Sequence, residues 1–216
     1  MTTRNGLNRS AYVDAALEVI DTVGVDKLSM RNVAARLNVS PMAMYKHFPT
    51  KDDLLAASLE EFIARANVIP DHSLDWEKWV EQLARRMYQA LCRELSWVPL
   101  LGYLPVGAQA IAVTDAFVEK LCTAGFSVEQ SLRAYFAIIQ VVVGAVCLRS
   151  SLDSKHPGSV KSDDGLSSVT HSFVEKINGG RGLPLELESF LQQDQIELGL
   201  PLIIDALRLQ RVEASI

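Results

Sequence analysis

Four points of punctuation in the first 66 residues restrict that part of the chain to short helices. Tyr12, Ala16, Val19, Ile20 and Val23 recur at the spacing of one helical face, and Gly24 supplies a stop. Ser29 can cap a second helix that carries Val33, Ala34 and Leu37 inward. Asn38 then stands where a residue in the left-handed conformation would end it. Ser40-Pro41 pairs a cap with a proline in the first helical position, and Phe48-Pro49 closes that third helix within two turns. Thr50 to Asp53 opens a fourth, continued by Leu54, Leu55, Leu59, Phe62 and Ile63.

Helical spacing continues beyond a joint at 67–74. Asp75 can cap a helix with Trp76, Val80, Leu83, Met87 and Leu91 on one face. Pro99, Gly102, Pro105 and Gly107 break the next stretch. A helix over about 108–124 ends at Gly125, and Ser127 with Gln130 forms a capping box for a long apolar helix to about 149. Residues 150–165 read as a loop, and Leu166, Val169, Phe173 and Ile177 mark a helix ended by Gly179-Gly180. The last helices span about 185–211. Strand-like alternation of useful length is absent, so the expected fold is all-α. It divides into a head over 1–66 and a larger helical-bundle domain over 67–216.

Charge is unevenly placed along the chain. The net charge is −5, but residues 1–51 hold seven Lys and Arg against four Asp and Glu. The basic surface therefore sits at one end, as a nucleic-acid reader requires. Cys92, Cys122 and Cys147 lack metal or redox spacing and read as buried thiols of a reduced, cytoplasmic protein. The opening MTTRNGLNRS has no apolar signal core. The most apolar run, Ala134 to Leu148, falls short of the ~20 residues that span a bilayer, so no membrane partner is expected.

Two short helices joined by a tight turn form the compact DNA reader of the helix-turn-helix class. Ala34 is small where the second helix crosses the first, and Val33, Leu37, Val39 and Met44 are placed as apolar anchors. That leaves Met42, Ala43, Lys46 and the tip around Tyr45 and His47 facing outward. The string from Asn38 through Ser40-Pro41, Tyr45-Lys-His-Phe48 and Lys51 to Leu54-Leu55 resembles the signature of the TetR family of bacterial repressors. Ser29-Met-Arg-Asn-Val-Ala34 is similar to that family's Thr-x-Arg-x-Ile-Ala entry. The match covers roughly residues 9–63 and departs at Asn38, where glycine is usual, and at Met42, where the family varies.

The resemblance assigns Tyr45 and Lys51 to phosphate contacts, and Arg31 and His47 to the backbone or the groove edge. It places Met42, Ala43 and Lys46 toward the bases and counts Ser40 among the DNA-binding residues. Chemistry supports the roles: a phenol and an ammonium both donate to phosphate oxygens, and amides opening the helix at Thr50 favour an anion. Tyr45 buried at a helix end, His47 as a plain surface imidazole and Met42 packed on the preceding helix remain open alternatives.

Past residue 66 the resemblance is a general pattern. It implies a homodimer, through a terminal stripe of Leu200, Ile203, Ile204 and Leu207 together with the 128–149 helix. It also implies a small, largely apolar effector, with Trp79, Met87, Trp97, Tyr103, Phe117, Phe136 and Gln140 as candidate contacts. Gln140 stands out as a lone amide in an apolar run. The expected function is a repressor that binds a palindromic double-stranded operator and is released by its effector, without a cofactor. A ligand-sensing or protein-docking module without DNA readout is the alternative. An all-helical enzyme is disfavoured: Asp163-Asp164 lies in a loop, and His171 and Glu175 lack a recognisable third metal ligand.

Overall fold

Most of the described helix ends are set by one polar side chain or one left-handed residue. The computed structural model describes residues 8–152 and 193–213. The expected helix near 166–177, the loop before it, Asp163, Asp164, His171 and Glu175 lie outside the described residues. Among those described there is helix and turn but no strand.

Helix α1 (Arg9–Val23) opens where the Asn8 side chain accepts from the Ala11 amide at 2.9 Å, and it ends at Gly24 with φ 82°. A 3-10 turn over Val25–Lys27 leads to α2 (Met30–Arg36), capped by the Ser29 hydroxyl accepting from the Asn32 amide at 3.1 Å. Helix α3 (Pro41–Tyr45) follows the turn, and α4 (Lys51–Ala66) starts on a complete capping box between Thr50 and Asp53. Helix α5 (Trp76–Arg93) is capped by Asp75, whose carboxylate accepts from the Lys78 amide at 3.0 Å. A second 3-10 segment (Leu95–Leu100) contains Pro99. Helix α6 (Ala108–Thr123) terminates at Gly125, where the Phe126 and Gly125 amides bond back to Leu121 and Cys122. The Phe126 ring is buried, as the apolar residue after such an end should be. Helix α7 (Val128–Leu152) opens on the reciprocal Ser127–Gln130 box, and α8 (Ile196–Glu213) is the last described.

The helices form two compact units. One comprises the residues through Ile69 with Glu94–Ala116; the other comprises Pro70–Arg93 and the chain from Phe117 onward. The division expected after residue 66 thus falls after Ile69, and the 94–116 segment rejoins the head. The reason is apolar: Trp97 is fully buried and stacks on Phe62 of α4 at 5.4 Å.

In the first unit α1 packs against α4 and α2, and α2 packs against α3. Tyr12, Ala16, Ile20, Val33, Ala34, Met44, Phe48 and Leu54 fill its core. In the second unit α5 packs against α7 and α8, and α8 against α7. Its aromatic centre runs from Trp79 to Phe117 at 6.1 Å and on to Tyr135 at 5.3 Å. Gly199 lets α8 approach α7 closely, since a Cβ there would sit 2.8 Å from a Val141 methyl. Val128–Ser150 is long and apolar enough to cross a membrane by length and composition, unlike the shorter run counted from sequence. One side of that helix is nevertheless packed on α5 and α8.

Candidate nucleic-acid interface

The turn between α2 and α3 is built by Asn38. Its φ is 53°, and this left-handed residue lets the Val39 amide reach the Ala34 carbonyl at 3.0 Å while its own amide bonds Ala35 at 3.1 Å. Both bonds satisfy carbonyls that the end of α2 would otherwise leave open. Asparagine tolerates this backbone where most residues do not. Ala34, with no exposed surface, meets the crossing helix, and Met44 anchors α3 from the other side.

With Met44 and Phe48 buried, the rest of α3 is turned outward. Met42 is 72% exposed and Tyr45 49% exposed, so neither packs into the core. Ala43 is half-buried, and Ser40, Lys46, His47, Lys51 and Arg31 are exposed. Ser40 occupies the cap position but makes no side-chain cap bond, which leaves its hydroxyl available. The His47 ring lies 4.7 Å from the ring of Tyr12, so it is held in place and not free-standing.

Lys46, Lys51 and Arg31 enter no ion pair among the described residues. Of the other cations of this unit, Arg36 pairs with Glu18 and Arg65 with Asp14 and Glu61, while exposed Lys27 likewise enters no ion pair among the described residues. Arg9 sits over the Phe48 ring at 4.6 Å, a contact that sequence reading did not anticipate. Lys46, Lys51 and Arg31 lie on α3 and its flanking helices, where phosphate can claim them without breaking an ion pair. The capping box takes the Thr50 and Asp53 amides, so among the described residues the amides of Lys51 and Asp52 at this helix start are left to face an anion beside the Lys51 ammonium.

The seven candidate effector contacts separate. Trp97 and Tyr103 belong to the first unit and the others to the second. Trp79 and Phe117 are fully buried neighbours, and Met87 is half-buried. Tyr103 and Phe136 are mostly exposed, and Gln140 is exposed too, so its amide needs no buried partner. The indole N–H groups of Trp79 and Trp97 are buried without a hydrogen-bond acceptor among the described residues. Cys147 is exposed, against the expectation of three buried thiols.

The terminal stripe also needs correction. Leu200, Ile204 and Leu207 are buried within their own chain, Leu200 at 1% exposure, because α8 packs against α7 and α5. The face of α8 left uncovered carries Leu202 at 70% exposure and Leu209, with Ile203 half-buried. Leu202 and Leu209 are seven residues apart, a spacing present in the sequence but overshadowed by the more continuous stripe beside it.

Comparison with known proteins agrees with this architecture. A sequence model of the bacterial regulatory proteins of the tetR family matches residues 13–58, and one of the tetracyclin repressor-like C-terminal domain matches residues 69–211. The chain is 33% identical over 210 residues to the class A tetracycline repressor protein from transposon 1721 of Escherichia coli, covering 95% of this chain and 93% of that protein. ActR of Streptomyces coelicolor, solved in complex with actinorhodin, shares the fold with a TM-score of 0.74 at 19% identity, over 95% of this chain and 99% of that one. BioQ, solved with its double-stranded DNA operator, has a TM-score of 0.61 at 23% identity, over 94% and 98%. The chain belongs to the tetR family of bacterial regulatory proteins. It is a transcriptional regulator, not an enzyme.

Proposed function

We propose that this chain is a cytoplasmic, homodimeric repressor that binds a palindromic DNA operator and leaves it when a small, largely apolar effector binds. The reader lies within residues 1–66, and the second unit holds the effector and dimer surfaces. The observation that carries the reading is the set of exposed groups on one short helix and its flanks: Met42, Tyr45, Lys46 and Lys51, with neither lysine in an ion pair among the described residues. An ammonium and a phenol position the reader on phosphates, while side chains of α3 meet base edges.

The effector belongs against Trp79, Met87 and Phe117 in the second unit. A buried indole donor without a partner costs about 1–3 kcal/mol, so an acceptor-bearing ligand at Trp79 gains by supplying one. The kinship with a tetracycline repressor, and the operator and actinorhodin complexes of the structural neighbours, support a switch of this type.

The dimer forms through the uncovered side of α7 and α8. A groove of about 460 Å³ runs there, lined by Arg133, Ala134 and Ala137 of α7 and by Leu202, Ile203 and Ala206 of α8. Exposed leucines flanking such a groove favour burial against a second copy. Two readers are also what specificity requires, since one short helix meets few bases.

The test is a titration. Aromatic and apolar compounds are screened for a rise in melting temperature, and a hit is added to a preformed complex with DNA from upstream of the gene. Release at saturating compound supports the reading. Unchanged operator affinity removes the effector role, and tightened binding reverses the sign of the switch.

A further inference from the structure

We propose that Met42 and Lys46 make this chain a reader of thymine and guanine set about two base pairs apart in each half-site, an inference that rests on the DNA-reading function above. Met42 is the second residue of α3, and Lys46 is its C-terminal cap with φ −71° and ψ −27°, still right-handed helical backbone. Residues four apart on such a backbone share one face, with a rise of ~6 Å between them. Bases follow one another at ~3.4 Å along a strand, so the two side chains address positions about two steps apart.

The chemistry of each side chain selects its base. The Met42 thioether has no donor, and the apolar feature that the major groove offers it is the thymine C5-methyl. Its 72% exposure leaves that surface in water until DNA covers it. The Lys46 ammonium has three donors and no acceptor. Guanine presents two adjacent acceptors, O6 and N7, whereas adenine sets an amino donor beside its N7. Lys46 breaks no bond to reach them, for it has no partner among the described residues. Ala43, small and half-buried between the two, allows the helix to approach the base edges closely.

The experiment selects binding sequences from random duplex DNA with the purified full-length protein, then edits single atoms of the recovered site. Replacing the assigned thymine by uracil removes only the methyl group and should weaken binding about fourfold, the value of one buried methyl. The same replacement should cost nothing in Met42→Ala, whose fold is checked by circular dichroism. Replacing the assigned guanine by 7-deazaguanine should weaken the parent protein and leave Lys46→Ala unaffected. A selection that enriches no sequence overturns the DNA-reading function and this inference with it. Enriched sites that tolerate uracil, or that lose the same affinity to uracil in Met42→Ala, overturn this inference alone.

Discussion

The Glu60 carboxylate accepts a hydrogen bond from the Gln109 amide at 2.8 Å, so a side chain of α4 caps the first turn of α6. The residue in the cap position of α6 is Gly107, which has no side chain of its own to offer. A Cβ there would overlap the Glu60 carboxylate, so the missing side chain also makes room for the one that replaces it. A carboxylate is the favoured partner for the positive end of a helix.

Glu60→Ala should therefore lower stability by about 1 kcal/mol, the usual cost of losing a cap. Gly107→Ala should expel the carboxylate and cost a similar amount. Because both changes break one contact, the double variant should be little worse than either single one in urea unfolding. Simple addition of the two losses would show that Glu60 does not act through this cap.

Lys51→Ala and Tyr45→Phe should each weaken operator binding without altering the melting temperature, since both residues are exposed. The lysine variant should also lower the slope of log affinity against log salt by about 0.9, the contribution of one neutralised phosphate. The tyrosine variant loses a neutral donor and should keep the slope. Equal slopes in all three proteins would take Lys51 off the phosphate backbone.

Leu202→Asp and Leu200→Asp, two residues apart on α8, should behave differently. Leu202 is exposed in the single chain, so its aspartate should split the dimer and leave the helical content intact in light scattering and circular dichroism. Leu200 is buried, and its aspartate should destabilise the chain itself by several kcal/mol, as an unpaired buried charge does. A Leu202→Asp protein that remains a dimer would place the interface elsewhere.

That pair shows where sequence reading reached and where it stopped. Helical spacing identifies the α8 residues as apolar, but Leu200, Ile204 and Leu207 and the outward Leu202 and Leu209 look alike until α7 and α5 are in place. The head was legible almost residue by residue, because Asn38, Ser29 and Thr50 act through bonds no more than five residues long. Trp97 joins Phe62 from 35 positions away, and Glu60 reaches Gln109 from 49. No local pattern announces such pairs, so the return of 94–116 to the first unit is not legible in the sequence. Phe136 and Gln140 stand in an apolar run that suggests burial, yet both are exposed on α7.

Burial pushes the Tyr88 phenol above its usual range, and the bond its hydroxyl donates to Asp194 adds to the rise. The folded chain therefore holds this proton more tightly than the unfolded chain. The resulting stabilisation is complete below pH about 10 and is lost as pH climbs past that value. Denaturant midpoints measured on either side of pH 10 should fall in the parent and fall less in Tyr88→Phe. Identical declines would assign the loss to other groups.

Fluorescence anisotropy of labelled DNA from upstream of the gene, measured against excess unrelated duplex, tests the central claim most directly. Binding to the upstream sequence should be at least about a thousandfold tighter than to the competitor at physiological salt. It should saturate at two chains per palindromic site, and this preference should collapse when Met42→Ala and Lys46→Ala are combined, whereas Tyr45→Phe with Lys51→Ala should weaken both duplexes alike. Equal affinity for both duplexes in the parent, or a preference that survives the Met42→Ala, Lys46→Ala pair, would contradict the assignment of α3 and its flanks as the reader.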